Sequence, residues 1–204
     1  MKNMTIDEFA AMVASNSPVP GGGSIAALSG ALSAALAQMV ANLTIGKKKY
    51  ADSEAEMREV SEKAEALRHT LLEDIERDSQ AYNRVMEAYR MAKDTDEEKL
   101  LRNNAIEQSA RKAAEVPFQV ACIAYEIMPL AEAAVARGNA NAVTDGLVAA
   151  MMARTAVLSA LFNVRINLGT ISDADFVKEY SEKSDRLQND VLAYEKKILE
   201  LSPF

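Results

Sequence analysis

The chain has 204 residues, of which 49% are hydrophobic and 26% are charged, and its net charge is −7. These values are typical of a folded globular protein, most simply a single domain spanning residues 1–204, and they exclude a disordered chain. The acidic balance argues against general binding to nucleic acid or to anionic membranes, because both rely on an excess of lysine and arginine.

The chemistry is also limited by a single cysteine, Cys122, and a single histidine, His69. One cysteine cannot form an intramolecular disulfide, and it fits a reducing compartment. Neither a cysteine-based nor a histidine-rich metal site is available, so we expect no metal. The N-terminus lacks the basic and apolar regions of a signal peptide, and we therefore expect a cytoplasmic protein.

The first unusual feature is the stretch from Pro18 to Ser24, which contains two prolines and three consecutive glycines. No charged residue occurs between Glu8 and Lys47. We expect a short helix, a Pro/Gly loop, and then a buried helix that is capped by Ser24 and stopped by Gly46. The charge-free run is long enough to span a bilayer, but its prolines and glycines and its Ala/Ser-rich composition lead us to expect no membrane span.

Helix starts are indicated by Ser or Thr followed three residues later by an acid, because this pair forms a capping box. Four such pairs occur: Thr5 with Glu8, Ser53 with Glu56, Thr95 with Glu98, and Ser172 with Asp175. There is no hairpin signal or sustained period-two alternation, so the chain is predicted to be all-α.

The remaining helices are predicted from these starts and from the positions of glycine and proline. They run over 53–91, over 95–115, from Pro117 to Arg137 with a kink at Pro129, from the loop at Gly138 to about Leu168, and over 172–201. We expect an elongated antiparallel helical bundle. The apolar stripe of the long helix is longer than a compact monomer easily covers, which favours a two-fold dimer.

One carboxylate interrupts this stripe. At three/four spacing the stripe passes through Asp78 towards Tyr82. Two interpretations remain open: the stripe drifts outward at this point, or Asp78 is partly desolvated, with a raised pKa suited to acid/base chemistry. The nearby pair Glu73 and Asp74 is typical of ordinary solvated charge.

A polar line is predicted on the helix that ends near Leu168. Steps of 100° per residue place its members within about 40° of one line. They are Asp145, Ala149, Met152, Ala156, Ser159, Asn163 and Asn167. Such a face either bonds a neighbouring helix or forms the wall of a polar ligand pocket.

A basic cluster directly follows the buried helix and includes Lys47 and Lys48. Cations are favoured at a helix C-terminus, so these lysines need no ligand. In an acidic protein they are also the clearest local site for a substrate that carries carboxylates. The single His69 lies on a charged segment and is predicted to be a solvated surface residue.

Several segments together resemble a known family. The segment PVPGGGSIAALSGALSAALAQMVANLTIGKKKY, from Pro18 to Tyr50, is similar to the N-terminal signature of the cyclodeaminase/cyclohydrolase family of folate enzymes, a domain also found as the C-terminal half of formiminotransferase-cyclodeaminase. DSQAY at 78–82 resembles the family's Asp-x-x-Ala-Phe/Tyr element. GNANAVTDGLVAA at 138–150 and FNVRINL at 162–168 resemble its later elements, so the likeness covers nearly the whole chain.

The resemblance implies an all-helical homodimer and a tetrahydrofolate substrate carrying a one-carbon unit, including polyglutamylated forms, with no further cofactor. Two reactions are implied: closure of 5-formiminotetrahydrofolate to the methenyl form with loss of ammonia, and hydrolysis of the methenyl bridge to 10-formyltetrahydrofolate. Both need a base and an acid at the bridge carbon. The sequence leaves the choice between the two open, and it also leaves open a non-catalytic module that dimerises or binds a partner.

We accordingly expect the following site. Asp145 and Asp78 transfer protons, and Asn163 and Asn167 hold the pterin or the bridge atoms. The substrate is further contacted by the turn residues Gly21, Gly22, Gly23 and Ser24, by Tyr82, and, at its glutamyl carboxylates, by Lys47 and Lys48.

Overall fold

The computed structural model describes all residues from Met1 to Phe204 and contains no β-strand. Its α-helices are α1 (Ile6–Val13), α2 (Gly22–Thr44), α3 (Glu54–Arg90), α4 (Asp96–Tyr125), α5 (Ile127–Arg137), α6 (Val143–Leu168) and α7 (Ala174–Leu199). Two short 3₁₀ turns, Lys48–Ser53 and Ala140–Ala142, precede α3 and α6. The all-α prediction is confirmed.

The helix at the centre of the bundle is α2, which runs antiparallel to both α3 and α6. Its small side chains allow close approach: Ser33 Oγ donates to the carbonyl of Ala149 at 2.7 Å, and Gly30 packs against Leu71. The main core contains 34 buried residues, of which alanine is the commonest type. A core of small side chains therefore brings the helix backbones close together around α2.

Two of the four predicted capping boxes are confirmed, at Thr5 and at Thr95. The prediction for Ser53 is wrong, because this residue ends a 3₁₀ turn with helical backbone angles and makes no capping bond. The prediction for Ser172 is displaced by one residue, since Asp173 caps α7 instead.

The predicted cap of α2 is also wrong. The helix begins at Gly22 with Gly21 as its N-cap, while Ser24 is buried and bonds to α3. The predicted end holds, because α2 ends at Thr44 and Gly46 has a φ of +77°, the left-handed conformation that glycine adopts at little cost.

The largest error in the predicted boundaries concerns Pro117. The chain does not start a helix there, because α4 continues through this proline and ends only before Glu126. A proline inside a helix lacks the amide that would donate to the carbonyl four residues earlier, here that of Ala113. That carbonyl instead accepts from Asn167 Nδ2 on α6, at 2.7 Å. A tertiary bond thus replaces the missing helix bond.

Dimerisation was expected from the long stripe on α3, but the N-terminal part of that stripe is covered within one chain. From Met57 to Ile75 its core positions are buried. Tyr82 and Tyr89 at the C-terminal end of the stripe are exposed, and other exposed large apolar side chains include Phe162 and Ile166 on α6 and Leu32 on α2.

Three segments are long and apolar enough to cross a membrane by length and composition: Gly22–Thr44, Asp96–Arg137 and Ala140–Leu168. About half of each apolar window is buried inside the protein.

Candidate functional site

A cleft of about 330 Å³ opens where the start of α2 meets the C-terminal parts of α3 and α6 and the middle of α4. It is lined by Pro18, Val19, Gly21, Gly22, Gly23, Asp78, Ala81, Tyr82, Val85, Tyr89, Ala110, Ala113, Asn163, Ile166, Asn167 and Thr170. The structure thus brings the Pro/Gly loop, one predicted carboxylate and both predicted asparagines to one place.

The carboxylate of Asp78 is held against the first turn of α2. Its Oδ2 accepts from Ser24 Oγ at 3.0 Å, and this hydroxyl also lies near the carbonyl of Ile75 and Ser79 Oγ. Burial raises the pKa of Asp78, although the bonds from Ser24 oppose this shift. Of the two interpretations of Asp78, the half-buried position between α2 and α3 favours the partly desolvated carboxyl.

Two glycines make this approach possible. A Cβ on Gly23 would lie 2.5 Å from Asp78 Cγ and closer still to Oδ1, so no side chain fits there. A Cβ on Gly22 would lie 3.2 Å from Asn163 Nδ2. The first amides of a helix lack intrahelical partners and carry partial positive charge, so this end of α2 favours a negative group. Asp78 occupies that position.

The two asparagines on α6 have different partners. Asn163 Nδ2 donates to the carbonyl of Ser159 at 2.9 Å, while its Oδ1 has no partner in the chain and lies beside Gly22. Asn167 Nδ2 donates to the carbonyls of both Ala113 and Asn163. Asn167 therefore joins α4 to α6 at the cleft wall, whereas Asn163 offers a free acceptor to the cleft.

The outer part of the cleft is aromatic and apolar. Tyr82 and Tyr89 are about two turns apart on α3 and are 36% and 43% exposed. Arg102 stacks over the Tyr89 ring at 5.7 Å and also donates to its carbonyl. Ile166 faces them from α6. A flat ring could lie against these side chains while its polar edge meets Asp78.

Three of the predicted site residues lie elsewhere in the chain. Asp145 is half-buried in the first turn of α6, and Lys47 and Lys48 are exposed beyond the end of α2. Asn163 is 18 positions after Asp145, which corresponds to about 27 Å along the helix. One chain therefore does not join Asp145 and the lysines to Asp78, contrary to our expectation of a single pocket.

One buried acid was missed by the sequence analysis. Asp74 is fully buried; its Oδ1 accepts from Arg77, and its Oδ2 has no partner. Burial raises the pKa of Asp74, although Arg77 opposes the shift. The prediction that Asp74 is a solvated charge is therefore wrong. Its spacing already indicated the buried face of α3, because Asp74 follows Leu71 by three residues and precedes Asp78 by four.

No cluster of three or more histidine, cysteine, aspartate or glutamate side chains is placed to hold a metal ion. His69 is exposed near Arg68 and Glu65 on α3, as predicted. The polar side chains that line the cleft therefore provide one carboxyl, two side-chain amides and the hydroxyls of Tyr82, Tyr89 and Thr170.

Comparison with known proteins gives concordant results. A family model described as formiminotransferase-cyclodeaminase matches residues 5–186. A methenyltetrahydrofolate cyclohydrolase of Methylorubrum extorquens is 41% identical over 97% of this chain and 95% of its own length. A formimidoyltransferase-cyclodeaminase of Gallus gallus is 35% identical over 88% of this chain, which covers 33% of that protein.

Among solved structures, a formiminotetrahydrofolate cyclodeaminase from Thermotoga maritima superposes with a TM-score of 0.88 at 31% identity. The match covers 98% of this chain and 96% of that one. The similarity thus extends over the whole helical bundle, including all elements that line the cleft.

Proposed function

Because the chain belongs to the formiminotransferase-cyclodeaminase family of folate enzymes, we propose that it acts on the one-carbon bridge between N5 and N10 of a tetrahydrofolate. Hydrolysis of 5,10-methenyltetrahydrofolate is the reaction we put first, since the relative that bears this name matches at 41% identity over nearly its full length. The chain would then be a methenyltetrahydrofolate cyclohydrolase.

The observation that carries this proposal is the half-buried carboxyl of Asp78 at the start of α2. The methenyl bridge is an amidinium cation, so an ionised carboxylate is complementary to it. A carboxyl whose pKa is raised by burial is also a better general base than an ordinary aspartate near neutral pH. Asp78 therefore combines attraction to the substrate with the capacity to accept a proton.

In the proposed hydrolysis, Asp78 accepts a proton as a water oxygen bonds to the bridge carbon. The tetrahedral intermediate holds that carbon between N5 and N10. Asp78 then returns the proton to N5 as the carbon–N5 bond breaks, and the carbon stays on N10 as a formyl group while the second water proton is released. One residue thus acts first as base and then as acid.

The rest of the cleft supports binding of a flat, polar-edged substrate. We propose that Tyr82 and Tyr89 contact the rings and that Asn163 Oδ1 accepts from a pterin N–H group. The amides of Gly22 and Gly23 face oxygen or nitrogen atoms that gain negative charge during the reaction. Asn167 would act by holding the wall of the cleft.

A second candidate reaction is cyclodeamination of 5-formiminotetrahydrofolate. It is favoured by the similarity to the Thermotoga maritima cyclodeaminase. Here N10 attacks the formimino carbon, Asp78 accepts the N10 proton, and ammonia leaves after protonation. The same groups serve both reactions because both pass through a tetrahedral carbon between the two nitrogens.

One spectrophotometric assay tests both reactions, because the absorption band of methenyltetrahydrofolate does not overlap with the bands of the other folates in these reactions. The purified protein is expected to accelerate its disappearance in water above the buffer rate. Its appearance from formiminotetrahydrofolate, with no hydrolysis, would assign the cyclodeaminase instead. Failure of both reactions would reject the proposal.

The non-catalytic alternative predicts that no folate binds. Under our proposal, a folate at 100 times its Kd stabilises the protein by about 2.7 kcal/mol, which a thermal shift detects. No shift with either the methenyl or the formyl form would favour the binding module. We further propose a cytoplasmic homodimer that needs no cofactor besides its folate substrate.

A further inference from the structure

The side chains along one face of α3 change in chemistry from the inner to the outer end of the cleft. Asp78, Tyr82 and Tyr89 all line it, and they follow one another at spacings of four and seven residues. At 100° per residue they lie within about 40° of one line, and the first and the last are about 16 Å apart along the helix. The cleft therefore has a carboxyl at its inner end and aromatic rings towards its outer end.

A cation lies next to the outer end of this row. The guanidinium of Arg102, on α4, stacks over the Tyr89 ring with its central carbon 5.7 Å from the ring centroid. Its Nε and Nη2 donate to the carbonyl of Tyr89 at 3.3 and 3.2 Å. Both bonds go to a single oxygen atom, and the Nη1 hydrogens have no partner in the chain. Arg102 is thus held on one side of its guanidinium and has free donors at its tip.

The charge of Arg102 is not neutralised by the chain. Arg111, on the same helix, forms ion pairs with Glu107 and Asp173, whereas Arg102 donates only to a neutral carbonyl. Glu98, one turn before Arg102, accepts instead from backbone amides just before α4. A half-buried, unpaired guanidinium beside a cleft favours a carboxylate, which it can bind through two parallel hydrogen bonds.

We infer that Arg102 binds a glutamyl carboxylate of the folate and so fixes the direction in which the substrate lies in the cleft. The one-carbon bridge then lies at Asp78, the benzoyl ring lies against Tyr82 and Tyr89, and the glutamyl group reaches the outer end. The identity of the substrate rests on the proposed function, whereas the unpaired cation beside the aromatic wall does not. The site accordingly selects compounds that carry a carboxylate at the end remote from the reacting bridge.

Arg102 thereby takes the role that the sequence analysis gave to Lys47 and Lys48. Gly22, the first residue of α2, lines the cleft, whereas the two lysines follow the last residue of this helix, Thr44. The 22 steps from Gly22 to Thr44 correspond to about 33 Å. Within one chain, Arg102 is therefore the cation at the aromatic end of the cleft, and the lysines lie at the opposite end of α2.

Arg102→Gln tests this inference, because glutamine keeps an N–H donor for the Tyr89 carbonyl but removes the charge and the planar fork. We expect the KM for methenyltetrahydrofolate to rise about 10-fold or more, the scale of a lost charge-assisted hydrogen bond, with kcat nearly unchanged. Arg102→Lys, which keeps the charge, should recover part of the loss. Arg186→Gln is the matched control, since that guanidinium also donates to a backbone carbonyl but lies on α7, outside the cleft.

A second substrate separates recognition of the carboxylate from support of the cleft wall. In the diamide of methenyltetrahydrofolate both glutamyl carboxyls are amides, so the wild-type protein should show the same rise in KM for the diamide that Arg102→Gln shows for the parent folate. Arg102→Gln should lose little more on the diamide. An equal loss on both substrates would mean that Arg102 acts only through Tyr89, and this result, or an unchanged KM for the parent folate, overturns the inference.

Binding measurements separate this inference from the proposed reaction. Calorimetry with tetrahydrofolate, which does not react, gives the Kd of the wild-type protein and of Arg102→Gln. Tighter binding by the wild type, without turnover of methenyltetrahydrofolate, would reject the proposed reaction alone. Equal Kd values for the two proteins overturn the assignment of Arg102, and a wild-type protein that binds no folate overturns both.

Discussion

At the scale of single residues, Asp78 is placed where burial disfavours the ionised form of its carboxyl. Its carboxyl is desolvated between α2 and α3, and only Ser24 supplies bonds that favour the ionised form. A site of this kind lowers stability in exchange for reactivity, because the folded protein must hold a charge that water would solvate better.

This conflict predicts a pH dependence of stability. The folded pKa of Asp78 lies above its ordinary value of 3.8, so between these two values the folded state binds a proton that the unfolded chain has released. Stability is therefore lost as the pH rises through this interval, and the loss is complete above the folded pKa. Relative to wild type, Asp78→Asn should gain free energy of unfolding from about pH 4 upwards and then level off.

Denaturant unfolding at a series of pH values measures this difference. Glu73→Gln is a matched control on the exposed side of α3, where the side chain is 67% exposed. It should show no comparable gain. A difference between Asp78→Asn and wild type that stays constant from pH 4 to pH 8 would show that burial does not raise this pKa.

The contact between Gly23 and Asp78 predicts a strong effect of a single methyl group. Gly23→Ala forces the carboxylate away from Ser24, because a Cβ would overlap it. We expect turnover to fall by about 100-fold or more, the usual scale of a lost general acid/base. Gly169→Ala is the control, since its Cβ would lie 3.4 Å from the nearest atom. Equal turnover of the two variants would contradict this role of Gly23.

The sequence predicted part of this residue-level picture. Asp78 was found because an acid interrupts an apolar stripe, and the glycine run indicated a close backbone approach. Asp74 was missed although it lies on the same spacing, because a carboxylate next to Glu73 was read as solvated. Spacing identifies the face of a helix, but the depth of burial depends on which helices cover that face.

At the scale of elements, Pro117 and Asn167 act together on one backbone carbonyl. The proline leaves the carbonyl of Ala113 without its helix partner, and Asn167 supplies the replacement. Sequence rules favour a helix start at such a proline, and here the rule failed because a side chain on another helix satisfies the exposed carbonyl. That compensation is tertiary, so local signals cannot reveal it.

A double-mutant cycle tests whether Pro117 and Asn167 are energetically coupled. Asn167→Ala alone leaves the Ala113 carbonyl unpaired and should cost about 1–3 kcal/mol of unfolding free energy. In a Pro117→Ala background the backbone amide at position 117 can donate to that carbonyl, so the same substitution should cost about 1 kcal/mol less. Denaturant unfolding of the four proteins gives the coupling energy. Additive effects would mean that the two residues are independent.

At the scale of the whole molecule, the separation of Asp145 from Asp78 is the main result that the sequence could not supply. The polar line on α6 was predicted as one wall of one pocket, but a 26-residue helix is longer than any such pocket. The dimer was predicted from the stripe on α3, whose part from Met57 to Ile75 the chain covers itself, while other apolar side chains on α2 and α6 are exposed. Periodicity shows that a face is apolar but not what covers it.

The central claim is that the cleft at the start of α2 is a folate site in which Asp78 moves the proton. The most direct measurement is the turnover of methenyltetrahydrofolate by Asp78→Asn, with Glu73→Gln as the control and with folate-induced stabilisation recorded for both. We predict a loss of kcat of at least about 100-fold for Asp78→Asn while it still folds and binds folate. Turnover of this variant at the wild-type rate would contradict the account.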